Sequence, residues 1–124
     1  MDLNLNQLKV LKNRYLRHNE AGEVKETPRQ LFFRVAKFVS KKERNKKEWT
    51  ERFFEVISRM EFMPAGGYLR SAGTKRPTLA NCFVLPIEDD MAKIFDSVKW
   101  LALVQQAGGG TGFNFSNLRQ REIM

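Results

Sequence analysis

The chain has 124 residues, enough for one domain with a modest core, and its 42% apolar and 29% charged residues are a globular composition, not a disordered one. Twenty-two Lys and Arg against 14 Asp and Glu give a formal charge of +8, which favours nucleic acids, nucleotides or an acidic partner surface and says nothing about fold. No run approaches the ~18 apolar residues of a membrane span, no basic segment leads into an apolar one as in a secretory signal, and the single Cys82 excludes an internal disulfide and fits a reducing cytoplasm.

Leu3, Leu5, Leu8, Leu11 and Tyr15 recur at a mostly helical spacing and predict a helix over 4–16, stopped by Asn19-Glu20-Ala21-Gly22. His18, alone near that helix end, reads as an exposed cap. Thr27-Pro28-Arg29-Gln30 is a strong helix start, because threonine caps free N–H groups, proline suits the first helical position and Gln30 completes a capping box. Leu31, Val35, Phe38 and Val39 then mark a core face to about Ser40. The basic run 41–47 has two readings, a solvated connection, which is the ordinary one, and nucleic-acid contact. A third helix is expected over 47–61, with Trp49, Phe53, Val56, Ile57 and Met60 on its apolar side. None of these three helices carries His, Cys, Asp or Glu at metal-ligand spacing, and no metal site is expected.

The texture changes at residue 62, dividing a helical region (1–61) from a loop-and-strand region (62–124). Pro64, Gly66 and Gly67 predict a loop around Tyr68, and 72–78 is a second flexible stretch. Residues 79–86 read as a strand, apolar enough for burial on both faces as in a parallel or barrel-like sheet. Cys82 on such a strand is ordinarily a buried, inert thiol. Glu88, Asp89 and Asp90 suit the start of a helix, whose face is Met91, Ile94, Phe95, Val98, Leu101 and Val104. That helix runs into Gly108-Gly109-Gly110-Thr111-Gly112, and Phe113 and Phe115 beyond predict a short strand, so the order is βαβ-like. The glycine stretch fails as a phosphate loop, having no Lys-Ser/Thr, and fails as a dinucleotide fingerprint, having no third spaced glycine before a helix. A helix C-cap accounts for one or two glycines; four in five positions point to a ligand or a close backbone approach.

Read in order, Asn81-Cys82-Phe83-Val84-Leu85-Pro86-Ile87-Glu88-Asp89, Ile94, Gly108-Gly109-Gly110-Thr111-Gly112-Phe113 and Phe115-Ser116-Asn117-Leu118-Arg119 resemble the large-subunit family of ribonucleotide reductases, in its adenosylcobalamin-dependent (class II) form. Ala72-Gly73-Thr74 resembles the family too, as do Arg14-Tyr15-Leu16, Gly22 and Glu26-Thr27 more weakly. The resemblance implies an α/β fold, in which an N-terminal helical region precedes the first strands of a ten-stranded α/β barrel, left incomplete here. It implies conversion of ribonucleotides to deoxyribonucleotides by thiyl-radical chemistry for DNA synthesis. By the same resemblance Cys82 is one of two thiols that reduce the ribose 2′ position and end as a disulfide. Tyr68, Asn81, Gly109 and Gly110 match substrate-contacting positions, and Asp89 and Arg119 match positions near a site for a deoxynucleotide effector. The helix following Asp89 is one that dimeric members use to pack subunits together.

Three departures accompany the match: Asp90 stands where serine is usual, the loop at 64–68 has an atypical form, and Gln120 stands where proline is common, with 121–124 not extending it. The radical-bearing cysteine, the catalytic asparagine and glutamate, the second redox cysteine and the cobalamin surface fall downstream in the family. The implied partners are therefore a ribonucleotide, a deoxynucleotide effector, the remaining part of the enzyme and a thioredoxin-type reductant, with no membrane, and the chain alone is expected to be catalytically incomplete. The alternatives are a non-catalytic nucleotide-binding or regulatory module and a small basic nucleic-acid-binding protein.

Overall fold

The computed structural model describes residues 3–75 and 77–120, and the chain divides into two compact units, Met1–Leu79 and Ala80–Met124. Arg76, inside the second expected flexible stretch, and residues 121–124, which the motif resemblance does not reach, lie outside the described residues.

The first unit is helical. Helix α1 (Leu5–Arg14) opens on a capping box in which Asn4 accepts from the Gln7 amide at 2.9 Å and Gln7 returns the bond to Asn4 at 2.8 Å. His18 does not cap it; it forms an isolated antiparallel bridge with Val24 across a turn that Gly22 closes at φ +81°. Helix α2 (Pro28–Val39) starts at the expected Thr27/Gln30 capping box and is the centre of the unit. Its Leu31, Phe32, Val35 and Ala36 are fully buried, while Val39, expected inside, is 40% exposed. The core face is thus turned toward Phe32 and Ala36.

A single 3₁₀ turn (Ser40–Lys42) leads to α3 (Lys46–Ser58), and the buried Ser40 and Thr50 hydroxyls share a 2.5 Å hydrogen bond that ties the two helices together. Helix α3 ends before 61 because Met60 takes φ +61°, with Met60 N–H donating to the Ile57 carbonyl and Glu61 N–H to the Val56 carbonyl. That is a Schellman ending with methionine where glycine is usual, so no residue type announced it.

The expected loop around Tyr68 is instead a short helix, α4 (Gly66–Ser71). Glycine fits its first turn because a Cβ on Gly66 would stand 3.0 Å from the Tyr15 hydroxyl. Leu69 and Ala72 join the core formed by Leu11, Leu16, Leu31, Phe32, Val35 and Ile57. The change of texture at residue 62 therefore falls inside the first unit.

The second unit is β1 (Cys82–Pro86), α5 (Met91–Gln106) and β2 (Gly110–Asn114). The strands are parallel, with Cys82 opposite Gly110, Val84 opposite Gly112 and Pro86 opposite Asn114, so the unit is a βαβ as expected. Strand β1 begins later than predicted, and β2 begins earlier, within the glycines themselves. Expected burial on both faces of β1 is not found. Phe83 and Leu85 are half-buried and Val84 is 79% exposed, because α5 lies on one face only and the sheet has just these two strands among the described residues. Asp90 caps α5 by accepting from the Lys93 amide at 3.0 Å, a task serine also performs. Ser97, buried in the apolar side of α5, bonds the Pro86 carbonyl at 2.7 Å and so fixes the helix to the end of β1.

Candidate functional site

Four glycines separate into two kinds. Gly108 has φ +82°, and its N–H donates to the Gln105 carbonyl while Gly109 N–H donates to that of Val104, a Schellman ending of α5. A Cβ on Gly109 would lie 2.8 Å from Val104 Cγ1 and 3.0 Å from Phe83 Cε2, so glycine lets α5 close onto β1. Folding alone explains these two. Gly110 and Gly112 have neither reason: their φ is not positive, a Cβ on Gly110 would meet only the Asn81 carbonyl at an ordinary 3.6 Å, and one on Gly112 would meet nothing within 4 Å. A strand glycine without a packing role costs about 0.5–1 kcal/mol relative to alanine. Among the described residues neither packing nor backbone conformation requires glycine at these two positions.

Cys82 stands beside that strip. It is exposed, contrary to the buried inert thiol that an apolar strand suggests, because the pleat puts it on the face away from α5 with Val84, Gly110 and Gly112. Asn81 is half-buried, and its carbonyl accepts the Gly110 N–H at 2.6 Å, which sets the register that places Cys82 opposite Gly110. Asn81, Cys82 and Gly110 are thus brought together. Gly109 is adjacent in the chain, but its missing Cβ faces Val104 and Phe83.

Asp89 and Arg119 are also brought together, although 30 positions apart, in an ion pair at 3.0 Å. Arg119 is 81% exposed, so the pair contributes at most about 1 kcal/mol and its guanidinium is readily given up to a phosphate. Beside them Glu88 pairs with Lys93, and that hydrogen bond and charge raise the lysine above its ordinary pKa.

Tyr68 belongs to the first unit, half-buried on α4 against the helical core. The loop after it is held by a network that the sequence did not announce. Arg34 pairs with Glu26 at 2.7 Å and donates to the carbonyls of Ala72 at 2.5 Å and Leu69 at 3.2 Å, while Arg17 donates to Gly73 at 2.9 Å. Ser71 closes the other side, donating to Thr78. The one available signal was an arginine set between Leu31 and Val35 in the core stripe of α2. Among the described residues no three His, Cys, Asp or Glu side chains gather where they could hold a metal ion.

Comparison with known proteins accounts for nearly all of the chain. The family model "Ribonucleotide reductase, all-alpha domain" matches residues 1–77, and "Ribonucleotide reductase, barrel domain" matches residues 80–124. A vitamin B12-dependent ribonucleoside-diphosphate reductase of Mycobacterium tuberculosis is 40% identical over 124 residues, covering 96% of this chain and 18% of the relative. One of the same description from Thermoplasma acidophilum is 31% identical over 182 aligned positions, covering 98% of this chain and 24% of the relative. The alpha subunit of a Helicobacter pylori ribonucleoside-diphosphate reductase is 34% identical over 112 residues, covering 90% of this chain and 14% of the relative. The chain thus spans between about a seventh and a quarter of the length of these relatives. It belongs to the ribonucleotide reductase large-subunit family, of which it carries the all-alpha domain and the opening βαβ of the barrel domain.

Proposed function

We propose that this chain supplies the N-terminal part of a cobalamin-dependent ribonucleotide reductase, contributing one reducing thiol and part of the nucleotide-binding surface. The observation that carries the reading is the exposed Cys82 beside Gly110 and Gly112, two glycines that the fold itself does not need. A bare strip of backbone lets a flat ligand lie against peptide groups within reach of the neighbouring sulfur.

The role of Cys82 follows from electron balance. Replacing a ribose C2′–OH by C2′–H needs two electrons and two protons and releases water. Two thiols supply both and become a disulfide. This chain holds one cysteine, so the second thiol comes from the remaining barrel. Adenosylcobalamin, implied by the names of the relatives, supplies the radical that opens the sugar to this chemistry; no residue described here is assigned to hold it. Asn81 orients the ligand edge next to the thiol, and Gly109 and Gly110 provide the backbone against which it lies; a substrate-contacting role for Tyr68 rests on the family resemblance alone. Asp89 takes a hydroxyl of a deoxynucleotide effector and Arg119 its phosphates, exchanging their mutual ion pair for the ligand.

The exposed row of Met91, Phe95 and Val98 on α5 suits packing against another copy of the enzyme. A parallel pair with one open face is also a fragment of a larger sheet, since parallel strands are normally covered on both sides. A thioredoxin-type reductant and a cytoplasmic setting complete the proposal.

The test is complementation. The chain, mixed with a polypeptide carrying the remaining barrel and with adenosylcobalamin, reduces ribonucleotides, and Cys82→Ser abolishes turnover while leaving nucleotide binding intact. Undiminished reduction by Cys82→Ser rejects the role of the thiol. Nucleotide binding with no turnover in any mixture favours the non-catalytic, regulatory reading.

A further inference from the structure

The charge of this molecule is unevenly placed. Residues 1–79 hold 18 Lys and Arg against nine Asp and Glu, whereas residues 80–124 hold four against five. All of the basic excess is therefore in the helical unit.

Within that unit it is organised. Arg29, Phe33, Lys37 and Lys41 recur every fourth residue along α2 and the turn after it, which sets them on one face at ~6 Å steps over roughly 18 Å. With Lys25 and Arg17 they border a hollow of about 700 Å³. A second hollow of about 370 Å³ shares Phe33, Lys37 and Lys41 and adds Lys46 and Lys47, with one carboxylate, Glu51, at its edge. The two form one open groove. Its first part contains a single carboxylate, Glu26, which Arg34 already binds at 2.7 and 2.9 Å. Among the described residues Lys25, Arg29, Lys37, Lys41, Lys46 and Lys47 make no ion pair. In the midst of these cations Phe33 is 46% exposed, its ring steadied edge-on by Phe54 at 5.9 Å.

We infer that this groove binds single-stranded nucleic acid, with a base stacked on Phe33 and the phosphates on Lys25, Arg29, Lys37 and Lys41. Repeated flexible cations around an exposed aromatic ring are the means by which a strand is held without regard to sequence. The groove runs on past the length of one nucleotide, which favours a strand over a free nucleotide. Its deepest polar groups, Glu26 and Arg34, satisfy each other and offer nothing to read a base edge. No residue of the proposed reductase site takes part.

Fluorescence anisotropy of a labelled oligothymidylate with the 124-residue chain tests this. The expected slope of log affinity against log salt is about −3, from four phosphate contacts on a single strand. Lys37→Glu with Lys41→Glu weakens binding by about tenfold or more and flattens the slope. Phe33→Leu keeps an apolar side chain on Phe54 but loses roughly fivefold or more through lost stacking. Circular dichroism confirms that each variant keeps its helices. Lys9→Glu with Lys12→Glu, the same charge change on α1, leaves affinity within about threefold. Equal weakening by the α1 pair, an unchanged affinity in Phe33→Leu, or displacement of the oligonucleotide by stoichiometric ATP each overturns the proposal.

Discussion

Replacing Gly109 and Gly112 by alanine, one at a time, separates a glycine that packing requires from one that it does not. At Gly109 the new methyl meets Val104 Cγ1 at 2.8 Å and the Phe83 ring at 3.0 and 3.3 Å. Valine is stiff about χ1 and sits on a helix whose end is fixed by two Schellman hydrogen bonds, so relief requires α5 to move off β1. Overpacking of this kind costs about 1–3 kcal/mol. At Gly112 the methyl meets nothing within 4 Å, and losing the glycine's backbone freedom stabilises the strand by about 0.5–1 kcal/mol. The assay is amide hydrogen exchange along the β1–β2 ladder, read at the Gly110 N–H that bonds Asn81. Gly109→Ala is expected to speed exchange by roughly 5- to 150-fold and Gly112→Ala to slow it by about two- to fivefold, at 1.4 kcal/mol per factor of ten. If Gly112→Ala loosens the ladder as Gly109→Ala does, Gly112 has a structural reason after all, and the case for a bare ligand strip falls.

Arg34→Met leaves the Glu26 carboxylate, 8% exposed, without its partner and frees the Ala72 and Leu69 carbonyls; a loss of about 3–5 kcal/mol is expected in thermal or urea unfolding, and a loss under 1 kcal/mol contradicts the network. Met60→Gly relieves a left-handed backbone at a 41% exposed position and is expected to raise stability by about 1 kcal/mol, seen as a higher urea midpoint at unchanged slope. The Glu88 bond raises the Lys93 pKa, so its contribution is complete below the ordinary lysine value and is lost as pH rises through the raised one; Glu88→Gln should lower the Lys93 titration by NMR and remove that alkaline dependence. Cys82 should react at once with a thiol reagent in the native chain, and Gly110→Leu beside it should slow that reaction; protection of the wild-type thiol contradicts its placement on the open face.

What could be read from sequence and what could not divide along physical lines. The start of α2 was legible because Thr27, Pro28 and Gln30 act within one turn, and the βαβ order was legible because α5 keeps a long regular stripe. Elements set by tertiary contact were not. Gly66 and Gly67 read as a loop, yet α4 forms there because it is packed onto α2 and Tyr15 fills the space that a side chain would take. Met60 ends α3 in a conformation that its residue type does not favour. In the glycine stretch composition hid the division of labour. Gly108 and Gly109 are explained by the helix end and its packing, and only Gly110 and Gly112 carry the functional argument. Asp89 and Arg119 were singled out by resemblance for separate contacts, and their ion pair depends on the chain returning after β2. The buried Glu26–Arg34 pair left only the faint mark of an arginine within the core stripe of α2, since charged side chains in a helical sequence are ordinarily solvated.

The proposed reaction has Cys82 spend its thiol on the substrate. The most direct measurement is a single turnover by the chain and the remaining barrel together, with ribonucleotide and adenosylcobalamin but no external reductant, followed by mass analysis of the cysteines. One disulfide joining Cys82 to a cysteine of the complementing polypeptide is expected for each deoxyribonucleotide formed. Deoxyribonucleotide accumulating while Cys82 remains a free thiol would contradict it.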